Sequence, residues 1–108
     1  MKKIKPTCRY NVVALDETAT IHLEGRFTFL DHGNFEASCK KFLTNPQIKH
    51  VIVNLAKVEY IDSAALGMLL VLRKDIQAIS VSLVLSSPSA TVLRALKAVH
   101  FEKLLTIQ

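Results

Sequence analysis

The stretch VIVNLAKVEYIDSAALGMLLVLR, residues 51–73, decides the fold of this 108-residue chain. A run rich in β-branched residues, typical of a strand, leads into Asp62-Ser63, and the small and apolar residues that follow are typical of a helix. The first N–H groups of a helix have no partner inside the helix, so this position favours negative charge. The junction is therefore either a plain helix cap or a place where Ser63 accepts a phosphate.

Length and composition predict a single domain over residues 1–108. Half of the residues are hydrophobic, and only three are Gly and three Pro, so the chain can form a compact core. Its length is sufficient for one such core but too short for two. Cys8 and Cys39 lie far apart without metal-ligand spacing, so we expect buried thiols rather than a disulfide. We expect no metal and no cofactor.

The start of the chain and its charge pattern argue against export, membrane insertion and nucleic-acid binding. MKKIK is followed by Pro6-Thr7 instead of an apolar run, and the longest wholly apolar run, residues 64–72, is far below the roughly 20 residues that span a bilayer. The net charge of +5 comes from scattered Lys and Arg residues without interleaved aromatic residues. We therefore expect a cytoplasmic protein with no membrane partner and no direct nucleic-acid partner.

Apolar periodicity and turn residues predict the element order β-β-α-β-α-β-α with a possible final strand at Leu104 to Ile107. The expected strands are 8–14, 18–24, 50–55 and 81–85, and the expected helices are 32–44, 63–79 and 87–99. Asp31 is the expected N-cap of the first helix, and Ser87 that of the third, with Pro88 at the first helical position.

These elements predict an α/β fold. A turn at Leu15-Asp16-Glu17 makes the first two strands an N-terminal hairpin, and residues 25–27 leave the second strand. The later strands follow strand–helix–strand crossovers, which are parallel and right-handed, so we expect a mixed β-sheet with packed α-helices. The almost continuous apolar run at 50–55 predicts a strand covered on both faces.

On a helical wheel, the helix after Ser63 carries more apolar surface than one core face needs. The expected core stripe consists of Ala65, Met68, Leu69, Leu72, Ile76 and Ile79. Ser63, Gly67, Leu70 and Lys74 fall on the other side, with Leu66 and Val71 at its margins. Two interpretations stay open: the extra apolar residues pack against a neighbouring helix, or they form a docking patch for another protein beside Ser63.

A phosphate on Ser63 would change such a patch. It would add about −1.5 to −2 charges and three acceptor oxygens, which the helix dipole accommodates while an apolar interface is disrupted. On residue types alone, however, an Asp-Ser pair at a helix start is a cap, with Asp62 as the cap and Ser63 at the first helical position.

The segment V-I-V-N-L-A-K-V-E-Y-I-D-S-A-A-L-G-M-L-L resembles the signature of the STAS domain, the fold of bacterial anti-sigma factor antagonists. In that family a buried strand leads into D-S-[ST]-[GA]-L-G, and apolar residues follow. L-E-G-R-F-T-F at residues 23–29 is similar to the family's second-strand exit, and L-S-S-P-S at 85–89 to its fourth-strand exit. The resemblance covers essentially the whole chain.

The resemblance implies a non-enzymatic partner switch. An unphosphorylated antagonist of this kind binds an anti-sigma factor, usually a serine kinase of GHKL type, and so frees the sigma factor. Phosphorylation of the serine after the motif Asp breaks the complex, and a PP2C-type phosphatase restores it. Here that serine is Ser63, and Asp62 would orient the loop and cap the helix.

The same resemblance implies a surface for the partner. Gly67 would let the partner approach closely, and Leu66 and Leu70 would form the contact surface. Val71, Lys74 and Thr28 are expected at the same partner-binding surface.

Two residues depart from the family pattern. Ala64 stands where Ser or Thr is common, and Thr28 where the second-strand exit often carries an acidic residue. An alternative function is a STAS module that serves as a constitutive binding subunit of a transporter or signalling complex, with Ser63 structural. A serine hydrolase is disfavoured, because no G-x-S-x-G surrounds Ser63 and no residue can be assigned as its base.

Overall fold

The protein is a five-stranded mixed sheet with three helices, and the computed structural model describes residues 8–108. The strands are β1 (Cys8–Leu15), β2 (Thr18–Phe27), β3 (His50–Ile61), β4 (Ser82–Ser86) and β5 (Thr106–Ile107). The helices are α1 (His32–Leu43), α2 (Ser63–Ala78) and α3 (Ala90–Ala98), with 3₁₀ turns at Phe29–Asp31 and Phe101–Lys103. The predicted order is confirmed, including the final strand. The prediction of no export signal lies on residues 1–7, outside the described residues.

The strands lie in the sheet in the order in which they occur in the chain. β1 pairs antiparallel with β2, from Cys8↔Gly25 to Leu15↔Thr18, and the other neighbours are parallel. This confirms the predicted mixed sheet with an N-terminal hairpin. Because parallel crossovers are right-handed and the strand order never reverses, all three helices belong on the same face of the sheet.

Burial alternates along the strands, as it must when only one face of the sheet is covered. In β3, Val51, Val53 and Leu55 are buried, whereas Ile52 and Asn54 between them are half-buried. The prediction that residues 50–55 are covered on both faces is therefore wrong. A short apolar run has two possible causes. The strand is buried on both faces, or one face is buried and an apolar residue lies on the other, partly exposed face.

β2 and β3 extend well beyond their predicted ends at residues 24 and 55. They pair with each other as far as Phe27↔Ile61, through two shifts of register. Gly25 therefore lies inside β2 and not after it, at a φ of 102° beside one of these shifts. A bulge favours glycine at such a position, so the residue that suggested the end of a strand instead marks an irregularity within it.

One helix starts later than predicted, and one residue predicted for the core is exposed. Ser87 has a φ of 56°, so α3 starts later than predicted, and Ser89 is its N-cap, with Oγ accepting a hydrogen bond from the Val92 N–H at 3.2 Å. α2 ends at Ala78, close to its predicted end, but Ile79 is 49% exposed and does not belong to the core stripe, contrary to prediction.

The core lies between the covered face of the sheet and the helices. Its largest fully buried side chains are Phe27, Ile21, Leu23, Leu55, Leu69, Ile76, Leu85 and Leu96. Cys8 and Cys39 are buried free thiols, as predicted, and burial raises their pKa values to about 11 and about 12. Both side chains act as small apolar residues of the core.

Candidate functional site

The junction between β3 and α2 is built around Asp62. Its backbone is extended (φ −99°, ψ 173°), and its Oδ1 accepts a hydrogen bond from the Ala65 N–H at 2.7 Å. The carbonyl of Asp62 accepts the first helical bond, from the Leu66 N–H at 3.1 Å. Asp62 is thus the N-cap and Ser63 occupies the first helical position, as predicted.

The second carboxylate oxygen of Asp62 reaches the loop that follows β2. Oδ2 accepts a hydrogen bond from the Phe29 N–H at 3.1 Å, and the Asp62 N–H donates to the carbonyl of Phe27 at 3.3 Å. One side chain therefore ties the start of α2 to the 3₁₀ turn Phe29–Asp31. This contact is possible because β2 and β3 are parallel neighbours, whose carboxyl ends open side by side.

Ser63 is exposed, and its hydroxyl has no hydrogen-bond partner within residues 8–108. The N–H groups of Ser63 and Ala64 belong to the first turn of α2, where no helical acceptor exists, whereas that of Ala65 is occupied by Asp62. Backbone donors and the helix dipole can therefore stabilise an anionic group on Ser63. With an anionic group on Ser63, the neighbouring Asp62 carboxylate would add a second negative charge at the start of α2.

The apolar residues that the helical wheel placed beside Ser63 separate into two kinds. Leu70 is 37% exposed and Val71 is 59% exposed, but Leu66 is 9% exposed and belongs to the core. The prediction of Leu66 as a contact residue is therefore wrong. α2 contacts α1, β4 and the 3₁₀ turn as well as facing the sheet. Its buried stripe is therefore wider than the stripe expected for a helix that packs against a sheet alone.

Gly67 lies on a groove of about 520 Å³ between α1 and α2, which Ala64 and Val71 also line. A Cβ placed on Gly67 would meet no heavy atom within 4 Å, so the glycine leaves open space one turn from Ser63. Lys74 is exposed further along the helix. The roles assigned to Gly67, Leu70, Val71 and Lys74 in partner binding stay predictions.

Thr28 is buried, so the prediction that it lies on the partner-binding surface is wrong. Its Oγ1 accepts a hydrogen bond from the Leu30 N–H at 3.3 Å, and its own N–H donates to Asp31 Oδ2 at 2.8 Å. The Thr28 side chain also accepts from the Asp31 N–H, and this bond and the Asp31 Oδ2 bond form a capping box around the 3₁₀ turn. Thr28 shapes the loop from inside and does not offer a side chain to a partner.

Asp31 is fully buried and does not cap α1 with its side chain, contrary to prediction. Its carboxylate accepts hydrogen bonds from the N–H groups of Cys8, at 3.0 Å, and Thr28. The carboxylate is directed back toward the preceding turn and the start of β1, because those N–H groups are buried and need an acceptor. Asp31 thus joins three parts of the fold.

Phe29 is a site residue that sequence reasoning missed. It is 63% exposed, and its backbone is held by Asp62 next to Ser63. The alternation F-T-F at 27–29 suggests that both rings lie on one face of a continuing strand, but the chain turns at Thr28. The T-x-x-D pattern at 28–31 could have indicated this turn, since it is a capping-box spacing with Asp in place of Glu.

A second exposed aromatic residue lies just before the junction. Tyr60 is 41% exposed on β3, and the Arg26 guanidinium lies 4.4 Å from the centre of its ring. A cation over an aromatic face restrains both side chains. Phe29 and Tyr60 thus present exposed aromatic rings near the carboxyl ends of β2 and β3.

Two kinds of site are absent from the described part of the chain. No helix within residues 8–108 is long and apolar enough to cross a membrane. In the same residues, no three His, Cys, Asp or Glu side chains are grouped so that they could hold a metal ion.

Comparison with known proteins matches almost the whole chain to one family. The family model of the STAS domain matches residues 9–108. A STAS-domain containing protein of Pseudomonas aeruginosa (strain UCBPP-PA14) is 34% identical over 88 residues, which cover 82% of this chain and 85% of that protein.

Three solved structures of two proteins show the same fold at lower identity. SpoIIAA of Bacillus, an anti-sigma factor antagonist, has a TM-score of 0.73 in its unphosphorylated form, at 18% identity over 93% of this chain and 87% of that one. Its phosphorylated form has a TM-score of 0.71 at 17% identity, covering 93% and 91% of the two chains. A sulfate transporter family protein from Wolinella succinogenes has a TM-score of 0.74 at 19% identity, covering 86% and 75%.

Proposed function

The chain belongs to the STAS domain family, and from this we propose that it is an anti-sigma factor antagonist that changes partners when Ser63 is phosphorylated. In the unphosphorylated state it binds an anti-sigma factor that is also a serine kinase of GHKL type. The kinase phosphorylates Ser63 and releases the protein, and a PP2C-type phosphatase removes the phosphate. The protein then acts in bacterial transcription regulation, in the cytoplasm, without contacting nucleic acid itself.

The observation that carries this proposal is the position of the Ser63 hydroxyl. It is exposed and without a partner within residues 8–108, directly after a cap that is fixed at both carboxylate oxygens. A serine that only served the helix would use its hydroxyl for the cap, but Asp62 already fills that role. The free hydroxyl suits a group that a kinase must reach.

Phosphorylation would act locally. The helix start accommodates the phosphate, so the fold is retained, while up to about two negative charges appear next to Asp62, which holds the Phe29 N–H, and about two turns before the exposed Leu70 on the same helix. An apolar partner surface over these residues would then bury an unpaired charge. We infer that this desolvation cost, together with repulsion from Asp62, releases the partner.

The test is phosphorylation followed by intact mass. The protein is incubated with ATP and the GHKL-type kinases of the same genome, one at a time, and one phosphate is expected on the wild type and none on Ser63→Ala. Ser38→Ala, a half-buried serine within α1, is the matched control and should still gain the phosphate. Equal phosphorylation of wild type and Ser63→Ala, or none of either by any kinase, would sink Ser63 as the acceptor.

A constitutive binding subunit is the second candidate. The likeness to a sulfate transporter family protein supports it, as does Ala64 in place of the common Ser or Thr. In that case Ser63→Asp would leave binding to the assembly unchanged, whereas the switch requires weaker binding. The two functions thus differ in whether Ser63→Asp changes the affinity for the partner.

A further inference from the structure

The two edges of the sheet differ in length and in protection. β5 at one edge has two residues, whereas β1 at the other edge has eight and pairs only with β2 within the described residues. Edge strands expose unpaired backbone groups, which proteins commonly protect with charged residues, prolines, bulges or short strands. Residues 10–15 of β1, YNVVAL, contain no charge and no proline, and their register with β2 is regular.

The hairpin turn determines which backbone groups of β1 face outward. Leu15↔Thr18 closes a two-residue turn, and such a closing pair exchanges its hydrogen bonds within the hairpin. Because the pattern alternates, the N–H and C=O groups of Tyr10, Val12 and Ala14 point away from β2. Cys8 follows the same alternation, since its N–H leaves the sheet edge to reach Asp31 Oδ1 at 3.0 Å.

The side chains leave this edge accessible. Val13 is 47% exposed and Leu15 is 71% exposed, both on the face of the sheet without helices. On the other face α1 packs against β1 at its start, where the rings of Phe35 and Tyr10 are 6.4 Å apart. Asp31 occupies the outward N–H of Cys8, so the unprotected part of the edge runs from Tyr10 to Leu15.

We propose that this edge of β1 pairs with β1 of a second copy of the chain, antiparallel about a two-fold axis through Val12. Val12 then lies opposite Val12 of the second copy, and Tyr10 lies opposite Ala14. The outward groups of all three residues find partners, and the two sheets join into one with the helices of both copies on the same side. This association goes beyond the proposed function and does not depend on it.

Charge favours a second copy as the occupant. No like charges meet along residues 10–15, which are uncharged. At each end of the pairing Arg9, which is exposed, would lie opposite Leu15 and next to Asp16 and Glu17 in the exposed turn of the second copy. The edge is therefore self-complementary in charge as well as in its backbone groups.

The dimer should be weak. One strand edge lies below the roughly 1,000 Å² of total buried area expected of a stable interface, and two chains of charge +5 repel each other at low salt. We therefore expect a monomer at about 10 μM and a substantial dimer fraction at about 500 μM.

The first experiment is sedimentation velocity of the full chain over this range of concentration. Val12→Pro removes an outward N–H while the ladder to β2 keeps its bonds, so it should remain a monomer throughout. Val13→Thr is the matched control, because the N–H and C=O groups of residue 13 point toward β2. This variant should dimerise like the wild type. A wild type that stays monomeric at the highest concentration overturns the proposal.

Cross-linking tests the register and needs no proline. Asn11 and Val13 of opposite copies would form a pair without hydrogen bonds, at a Cα separation of about 4.5 Å that allows a disulfide. An oxidised mixture of Asn11→Cys and Val13→Cys should therefore form a linked dimer at least about tenfold faster than either variant alone.

The native thiols should not interfere with this measurement. Cys8 and Cys39 are buried, and their raised pKa values leave little thiolate at neutral pH. Equal rates in the mixture and in the two separate samples would mean random collision and would also overturn the proposal.

Discussion

Two strand–helix junctions lie side by side at the same end of the sheet, and each contains an aspartate in the N-cap position. Asp31 precedes α1 and Asp62 precedes α2. Asp31 is fully buried, and its carboxylate holds the N–H groups of Cys8 and Thr28. Asp62 is half-buried, caps its own helix and holds the Phe29 N–H.

The two junctions differ in how they would divide stability from the proposed switching. The β2–α1 junction uses every hydrogen bond of its aspartate inside the fold, so a change there should affect the whole protein. The β3–α2 junction is fixed by Asp62 but leaves the next hydroxyl, Ser63, exposed. We infer that a switch needs this combination, because a charge can then be added without unfolding the domain.

The largest effect is expected from Asp31→Ala. Two buried N–H groups would lose their acceptor, so the free energy of unfolding should fall by about 3–5 kcal/mol. Urea denaturation measures this loss, with Asp75→Ala on the exposed face of α2 as a control that should change little. A loss similar to that of the control would remove the structural role assigned to the β2–α1 junction.

The next effect comes from the corrected position of Leu66. Leu66→Ala should cost about 2–4 kcal/mol, because it leaves a cavity beside the core, whereas Leu70→Ala should cost less than about 0.5 kcal/mol. The same denaturation experiment compares the two variants. Equally small costs would mean that both leucines lie on the surface, as the helical wheel suggested, and equally large costs would mean that Leu70 is also part of the core.

Asp62→Ala should have a moderate effect. It removes the cap of α2 and the acceptor of the Phe29 N–H, at a cost of about 1–2 kcal/mol. Asp62→Asn keeps one accepting oxygen for the Ala65 N–H but turns an NH₂ group toward the Phe29 N–H, so it should recover only the capping part of this stability. If Asp62→Ala were as destabilising as Asp31→Ala, the contrast between the two junctions would be lost.

Phe29→Ala and Ser63→Asp should hardly change stability, within about 0.5 kcal/mol, since both side chains are exposed. Each should nevertheless weaken binding to the proposed anti-sigma kinase by about tenfold or more. Phe29→Ala removes an exposed aromatic side chain from the interface, and Ser63→Asp adds a negative charge to it. Calorimetric titration measures the affinity, and Ile79→Ala at the far end of α2 is the control. Unchanged affinity for Phe29→Ala would move the interface away from this loop.

The smallest effect has the opposite sign. Gly67→Ala should stabilise the protein by about 0.5–1 kcal/mol, since alanine is the better helix former and its Cβ meets no atom within 4 Å. If the partner approaches closely at Gly67, the same methyl group should weaken binding. Thermal unfolding and titration together check both signs, and tighter or equal binding would count against a contact there.

The elements themselves could be read from the sequence. Periodicity predicted the order of strands and helices, and Asp62-Ser63 was placed correctly because the cap, the strand before it and the helix after it are local features. The largest errors concern residues whose environment is built by distant parts of the chain, whereas the start of α3 was a local misassignment of the cap. Asp31 is directed toward Cys8, 23 positions away, and Phe29 is held by Asp62, 33 positions away.

The sequence by itself determined the family, the α/β order and the exposed serine after a capping aspartate, since these depend on neighbours within a few turns of chain. Only the tertiary structure decided that one face of the sheet is open, that Leu66 is buried and Phe29 exposed, and that β1 pairs only with β2 within residues 8–108. The physical reason is that burial and backbone pairing depend on which elements become neighbours in space. That arrangement is set by the crossovers and the strand order, which no local pattern of residues contains.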